Sequence, residues 1–179
     1  MPWLGKAGAP IQIVPEKTPI AEIRPGELES PDLRAIYAIW CENRGGRSMP
    51  QREEVMPRPL GRLVRNVSLV KVLADAADYE FRVIGDVHVQ AYGANAQGLK
   101  FSDLIASNPD FGNVLKASYD LVCARRAPVA FRGFMGREMT QARFDWLETI
   151  YMPLRDAEGG VAYVMNASVY VPRNGAWPR

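Results

Sequence analysis

The chain has 179 residues, enough for one domain with a sizeable core and short for two. Its 22 lysines and arginines stand against 20 aspartates and glutamates, a formal charge of +2, which gives no electrostatic case for nucleic acid or a membrane surface as partner. No run approaches the roughly 20 apolar residues of a membrane span, and the first residues lack a signal peptide's charged start and apolar stretch, so a cytoplasmic protein is expected.

Residues 1–29 carry Pro2, Pro10, Pro15, Pro19 and Pro25. Repeated proline disfavours helix interiors and central strands, which predicts an extended or flexible tail. Residues 30–66 read as a helix and a connector. Ser30-Pro31 supplies a cap and a proline at the first helical position. Leu33, Ile36, Tyr37 and Trp40 then recur on one face, and the Asn43-Arg-Gly-Gly46 stretch ends the helix. Six arginines, from Arg44 to Arg65, make this the most basic region. Because guanidinium groups bind oxyanions in pairs of bonds, the segment is either an anion or nucleic-acid surface or a solvated connector; its irregular spacing favours the connector. A short helix from Pro59 to Asn66 is expected to turn Leu60, Leu63 and Val64 inward.

Residues 67–172 read as the core. Val67 to Leu73 and Tyr79 to Ile84 form a predicted hairpin around Asp75-Ala-Ala-Asp78. From Asp86 to Tyr92 the pattern suits a strand (Val87, Val89, Ala91) as well as a helix (His88 and Tyr92 four apart), and periodicity alone does not decide. Leu99 to Ile105 reads as a short helix or turn. Asn108-Pro109 then caps a long helix with Phe111, Val114, Leu115, Leu121 and Val122 as its apolar residues. Three strands follow: Val129 to Met135, closed by a turn at Gly136-Arg137-Glu138; Phe144 to Leu154, broken on its apolar face only by Glu148; and Val161 to Val171 after a turn at Asp156 to Gly160. The last has apolar residues on both faces, as a central strand would. Residues 173–179 are a short tail.

Several pieces in this order carry a resemblance: Arg82-Val-Ile-Gly85, then Tyr92-Gly-Ala-Asn95, then Gly98-Leu-Lys-Phe-Ser-Asp-Leu104. They are flanked by a helix ending in Trp40 and Arg44, by Met49-Pro50-Gln51-Arg52, and by Met152-Pro153-Leu154. The chain resembles the PAS sensory domain from about Pro31 to Tyr170, in particular the single-domain PAS-like family abundant in alphaproteobacteria. The resemblance implies an α+β fold, a five-stranded antiparallel sheet with short helices on one face and an N-terminal amphipathic helix. That helix would dock on the sheet or on a second subunit, which makes Leu33, Ile36, Tyr37 and Trp40 candidate interface residues of a homodimer. It also implies signal transduction through contacts with another signalling protein, and no enzyme activity.

Residue chemistry narrows the rest. One histidine, His88, excludes paired-histidine metal sites and leaves no spare base for a hydrolytic triad. Haem-binding relatives carry their ligand on the long helix, which here has no histidine, and the reactive-cysteine motif of flavin photosensors is missing, so no cofactor is expected. Cys41 and Cys123 both fall in helical patterns and read as thiols rather than a disulfide. Tyr92, Phe101, Tyr119, Phe131, Trp146 and Met165 are candidates to line a pocket between helices and sheet for a small apolar or mixed-polarity ligand, or else to fill the core. Asn166, mid-strand, must find polar partners or read such a ligand. An alternative is a small-molecule enzyme with a pocket in a cone-like α+β fold, using Asp145 and Tyr151.

Overall fold

A computed structural model describes residues 19–134 and 143–172. The expected Gly136-Arg137-Glu138 turn lies outside the described residues, as do 1–18 and 173–179. The elements are β1 (Ala21–Ile23), α1 (Pro31–Arg44), α2 (Arg52–Val55), β2 (Val67–Leu73), β3 (Asp78–Ile84), α3 (Asp86–Tyr92), α4 (Phe101–Ser107), α5 (Pro109–Arg125), β4 (Val129–Phe134), β5 (Phe144–Arg155) and β6 (Val161–Pro172). All strand pairs are antiparallel, in the order β1-β4-β5-β6-β2-β3. The fold is α+β as expected, with six strands among the described residues where five were expected. The added one, β1, comes from the proline-rich leader and pairs Ala21 with Arg132 and Ile23 with Ala130.

Helices cover both faces of the sheet. On one side α1 buries Leu33, Ile36 and Trp40 against Val67 and Leu69 of β2, Ile150, Met152 and Leu154 of β5, and Met165 and Ala167 of β6. On the other, Val70, Tyr79, Phe81, Val129, Tyr151 and Val164 meet Phe101 of α4 and Leu115, Tyr119 and Val122 of α5. The two strands that sit mid-sheet, β5 and β6, therefore send successive side chains into different cores. Cys41 and Cys123, on α1 and α5, are both free thiols.

Local chemistry explains the boundaries. Ser30 Oγ accepts from Leu33 N and Asn108 Oδ1 from Phe111 N, each capping a helix that has proline at its first turn. The ambiguous Asp86–Tyr92 segment is a helix, closed by Gly93 at φ 75°. Gly85 is required just before it, because a Cβ there would overlap the backbone of Val64 and Arg65. The buried stripe of α5 is Leu115, Tyr119 and Val122, spaced i, i+4, i+7, whereas Val114 is 52% exposed and so departs from the expected apolar face.

Three pieces that carried the resemblance meet at the end of β5. The Trp40 indole N–H donates to Pro153 O at 3.0 Å, and Arg155 N donates to Pro50 O at 3.0 Å, which brings the Met49-Pro50 stretch alongside Met152-Pro153-Leu154. Met49 and Met152 are fully buried there. The sheet of the same chain thus covers Leu33, Ile36 and Trp40, while Tyr37 is half-buried and stacks on Trp40 at 6.4 Å. Replacing Trp40 with alanine removes that burial and the indole hydrogen bond, an expected loss of about 3–5 kcal/mol. Melting of both proteins should be independent of concentration, since the contact is within one chain; thermal scans at several concentrations check this, and a concentration-dependent parent would move the docking of Trp40 to a second subunit.

Candidate functional site

The polar network on the α5-covered face of the sheet begins with sequence alternation. Thr149 and Tyr151 on β5, and Asn166, Ser168 and Tyr170 on β6, point to the face opposite Ile150, Met152, Met165 and Ala167. Asn166 Nδ2 donates to Thr149 Oγ1 at 2.7 Å and to Ile150 O at 3.2 Å, and its Oδ1 accepts from Ser168 Oγ at 3.2 Å. Thr149 and Ser168 hydroxyls lie 2.7 Å apart. A buried asparagine in mid-strand thus finds its partners across the β5–β6 pair, as a desolvated amide must.

A second chain of bonds continues from β6. His88 of α3 is fully buried, with Nε2 3.0 Å from Asn66 O and Nδ1 2.9 Å from the Tyr170 hydroxyl. A carbonyl oxygen only accepts, so Nε2 carries the proton and Tyr170 donates to Nδ1. Both ring nitrogens are thereby used, which makes His88 a bracket between α3, β6 and the segment before β2 rather than an open ligand. Burial pushes its pKa down to about 4 from 6.5, against the smaller upward pull of its backbone hydrogen bonds.

Between these networks and α5 lies a cavity of about 200 Å³. Tyr151 and Thr149 of β5, Ser168 and Tyr170 of β6 and Phe131 of β4 form its sheet side. Tyr92 of α3 and Phe111, Leu115 and Ser118 of α5 form its helix side, with Phe144 and Leu147 completing the wall. Its outer edge is the chain of β1, through Ile20, Ala21 and Glu22. Ile20 and Val114, the two large apolar residues that are exposed among the described residues, both stand on this edge. Gly133, at φ 149°, lets the backbone of Pro19 and Ile20 lie directly on β4, and Glu22 pairs with Arg125 at the end of α5. Burial raises the pKa of Tyr92, Tyr151 and Tyr170, so the phenols on the wall stay neutral.

The seven predicted ligand residues divide between places. Tyr92 and Phe131 line the cavity. Phe101 and Tyr119 belong to the adjoining aromatic core, 4.9 Å apart, with Tyr119 5.1 Å from Tyr151, and do not line the cavity. Asn166 stands one hydrogen bond behind its wall, through Thr149. Met165 lies in the α1 core, and strand alternation puts Trp146 on that same side with Ile150, so neither joins the cavity. Of the pair considered for catalysis, Tyr151 lines the cavity and Asp145, at a bulge in β5, does not.

Sequence reading missed Thr149, Ser168, Tyr170 and the β1 edge. The first three had a signal: hydroxyl residues two apart, Thr149 with Tyr151 and Ser168 with Tyr170, inside the two longest strands. The β1 edge had none, since Pro19 to Glu22 reads as leader. Four of the six arginines between Arg44 and Arg65 have partners: Arg44 lies over Trp40, Arg47 pairs with Glu54, Arg52 lies over Tyr163, and Arg62 is 3.9 Å from Asp32.

Among the described residues no helix is long and apolar enough to cross a membrane. The profile of a family described as PAS domain matches residues 28–167. Among solved structures, the chain is similar to an RNA-binding Light-Oxygen-Voltage receptor at 19% identity and a TM-score of 0.41, covering 69% of this chain and 36% of that one. It is also similar to a sensory box sensor histidine kinase from Vibrio cholerae at 13% identity and a TM-score of 0.44, covering 65% and 92%. The chain thus spans little more than a third of the receptor's length. No match was found among curated proteins.

The burial of His88 has a pH consequence. Between 6.5 and about 4 the unfolded imidazole holds a proton that the folded one does not. Its contribution to stability is therefore complete above pH 6.5 and falls as the pH drops towards 4, by roughly 3 kcal/mol in all. The chain's single imidazole should keep its neutral NMR shift down to about pH 4; a midpoint near 6.5 would mean that the ring is solvated.

Proposed function

The chain belongs to the PAS domain family, and on that premise we propose that it is a sensory or adaptor domain of signal transduction, acting without catalysis. Its input is a small molecule held in the cavity between α5 and the β4–β6 strands, and its output leaves through contact with another signalling protein. The observation that carries this reading is the cavity of about 200 Å³ whose outer edge is the β1 chain. Three ladder pairs hold β1 to the sheet, and the Glu22–Arg125 ion pair beside it is close to half exposed on both sides. Exposed pairs of that kind contribute about 1 kcal/mol at most, so β1 is the wall most easily moved.

Movement of β1 would reach the other face through a short link. Residues 24–30 run from β1 to the start of α1, where Glu29 N and Ser30 N donate to the Glu148 carboxylate at 2.9 and 2.8 Å. Glu148 sits on β5 between Leu147 and Thr149, both on the cavity wall. Occupancy on one face therefore has a physical route to α1 on the other. Two occupied ring nitrogens on His88 support a reading without haem, and the partnered arginines support a structural connector rather than a nucleic-acid surface.

Absorption spectroscopy and melting test the reading together. The purified protein should be colourless, and ring-sized neutral fragments should raise its melting temperature by mass action. A Soret or flavin band that survives gel filtration would contradict the cofactor-free reading. A fragment set in which no compound shifts melting would contradict the cavity as a ligand site.

A further inference from the structure

The cavity's size, aromatic wall and polar inventory specify a ligand class. A cavity of 150 Å³ lined by apolar side chains is known to accept benzene, and about 200 Å³ leaves room for one ring with a short substituent. Phe111, Phe131, Phe144, Tyr92, Tyr151 and Tyr170 make the wall largely aromatic, which suits ring edges and faces. Charge is disfavoured in both signs. Among the described residues the lining contains no lysine, arginine or histidine, so a buried anion would find no counter-charge. The one carboxylate, Glu22, stands at the outer edge and is already paired with Arg125, whose guanidinium opposes a cation there.

The hydroxyl protons separate further. Tyr170 donates to His88 Nδ1. Ser118 Oγ donates to Val114 O at 3.2 Å, and Thr149 Oγ1 to Ala167 O at 3.2 Å. The Tyr151 hydroxyl lies beside the Ser118 and Thr149 hydroxyls; with their protons directed to carbonyls those oxygens accept the phenolic proton, and a ligand carbonyl reaching into the cavity competes for it.

Building on the ligand-sensing reading above, we propose that this cavity takes an uncharged monocyclic aromatic compound with a carbonyl-type acceptor, which Tyr151 recognises by donating its hydroxyl proton. Four probes of similar size test it on the full chain: acetophenone, ethylbenzene, benzoate and benzylamine, with titration followed by NMR and melting. Acetophenone should bind best, with Kd below about 1 mM, ethylbenzene more weakly, and the two ions not measurably. Tyr151→Phe should weaken acetophenone roughly tenfold, the effect of losing one hydrogen bond, and leave ethylbenzene unchanged. Should that variant fail to fold, NOEs from the acetophenone methyl group to the rings of Tyr151 and Phe131 in the parent carry the test. Benzoate or benzylamine binding as tightly as acetophenone overturns the ligand class while leaving the cavity as a binding site, as does an equal loss for acetophenone and ethylbenzene in the variant. Binding of none of the four overturns both the class and the sensing reading on which it rests.

Discussion

A buried carboxylate determines how the N-terminal part of this chain meets the sheet. Glu148 is fully buried on the α1 side of β5, a location that is costly for a charge unless its oxygens are met by donors. Three meet them: Glu29 N, Ser30 N, and Arg132 Nη1 at 3.2 Å from the adjacent strand β4. Ser30 is also the cap of α1. One side chain therefore fixes where α1 begins, ties it to β4 and β5, and holds the chain just after β1 at the sheet's edge. Arg132 adds to this, since it also donates to Glu27 O at 3.0 Å and pairs with Glu29.

From that anchor the two faces of the sheet take different roles. Apart from Glu148 and its donors the α1 face is apolar, and Trp40, Met49 and Met152 fill it without exposure. The α5 face instead carries a row of hydroxyls and one amide, satisfied across the β5–β6 pair, beside a space that the aromatic side chains leave open. Thr149, Asn166 and Ser168 bond to one another across that pair, which keeps this part of the cavity wall in register with the strands. Because Glu148 and Thr149 are neighbours in sequence, the anchor of α1 and the cavity wall share one stretch of backbone.

Much of the fold was legible because its signals are local. Ser30-Pro31 and Asn108-Pro109 marked helix starts that the structure contains, and the alternation from Val129, Phe144 and Val161 marked three strands. What sequence could not settle needed tertiary contact. Asp86–Tyr92 satisfies both periods, and helix wins because Gly85 sits against the backbone of Val64 and Arg65 while His88 reaches Asn66 and Tyr170. β1 is three residues in a proline-rich leader, and it forms because Gly133 lets the chain lie against β4. The predicted aromatic pocket was drawn from composition, which carries no face information for residues on different strands; parity separates Trp146 and Met165 from Tyr151 once the register of β5 and β6 is known. Glu148 stood out in sequence as a break in an apolar face, and its two backbone partners lie 118 and 119 residues away.

Native-state hydrogen exchange on Glu148→Gln tests the anchor most directly. A neutral amide has one acceptor oxygen, so it cannot accept from Glu29 N, Ser30 N and Arg132 together as the carboxylate does. The account predicts that the amides of Glu29 and Ser30, and those of Ala21 and Ile23 in β1, lose protection by tenfold or more, while the β2–β6 and β5–β6 ladders keep theirs. Unchanged protection from Ala21 to Ser30 in the folded variant would contradict it, because the N-terminal segment would then be held at the sheet edge by something other than Glu148.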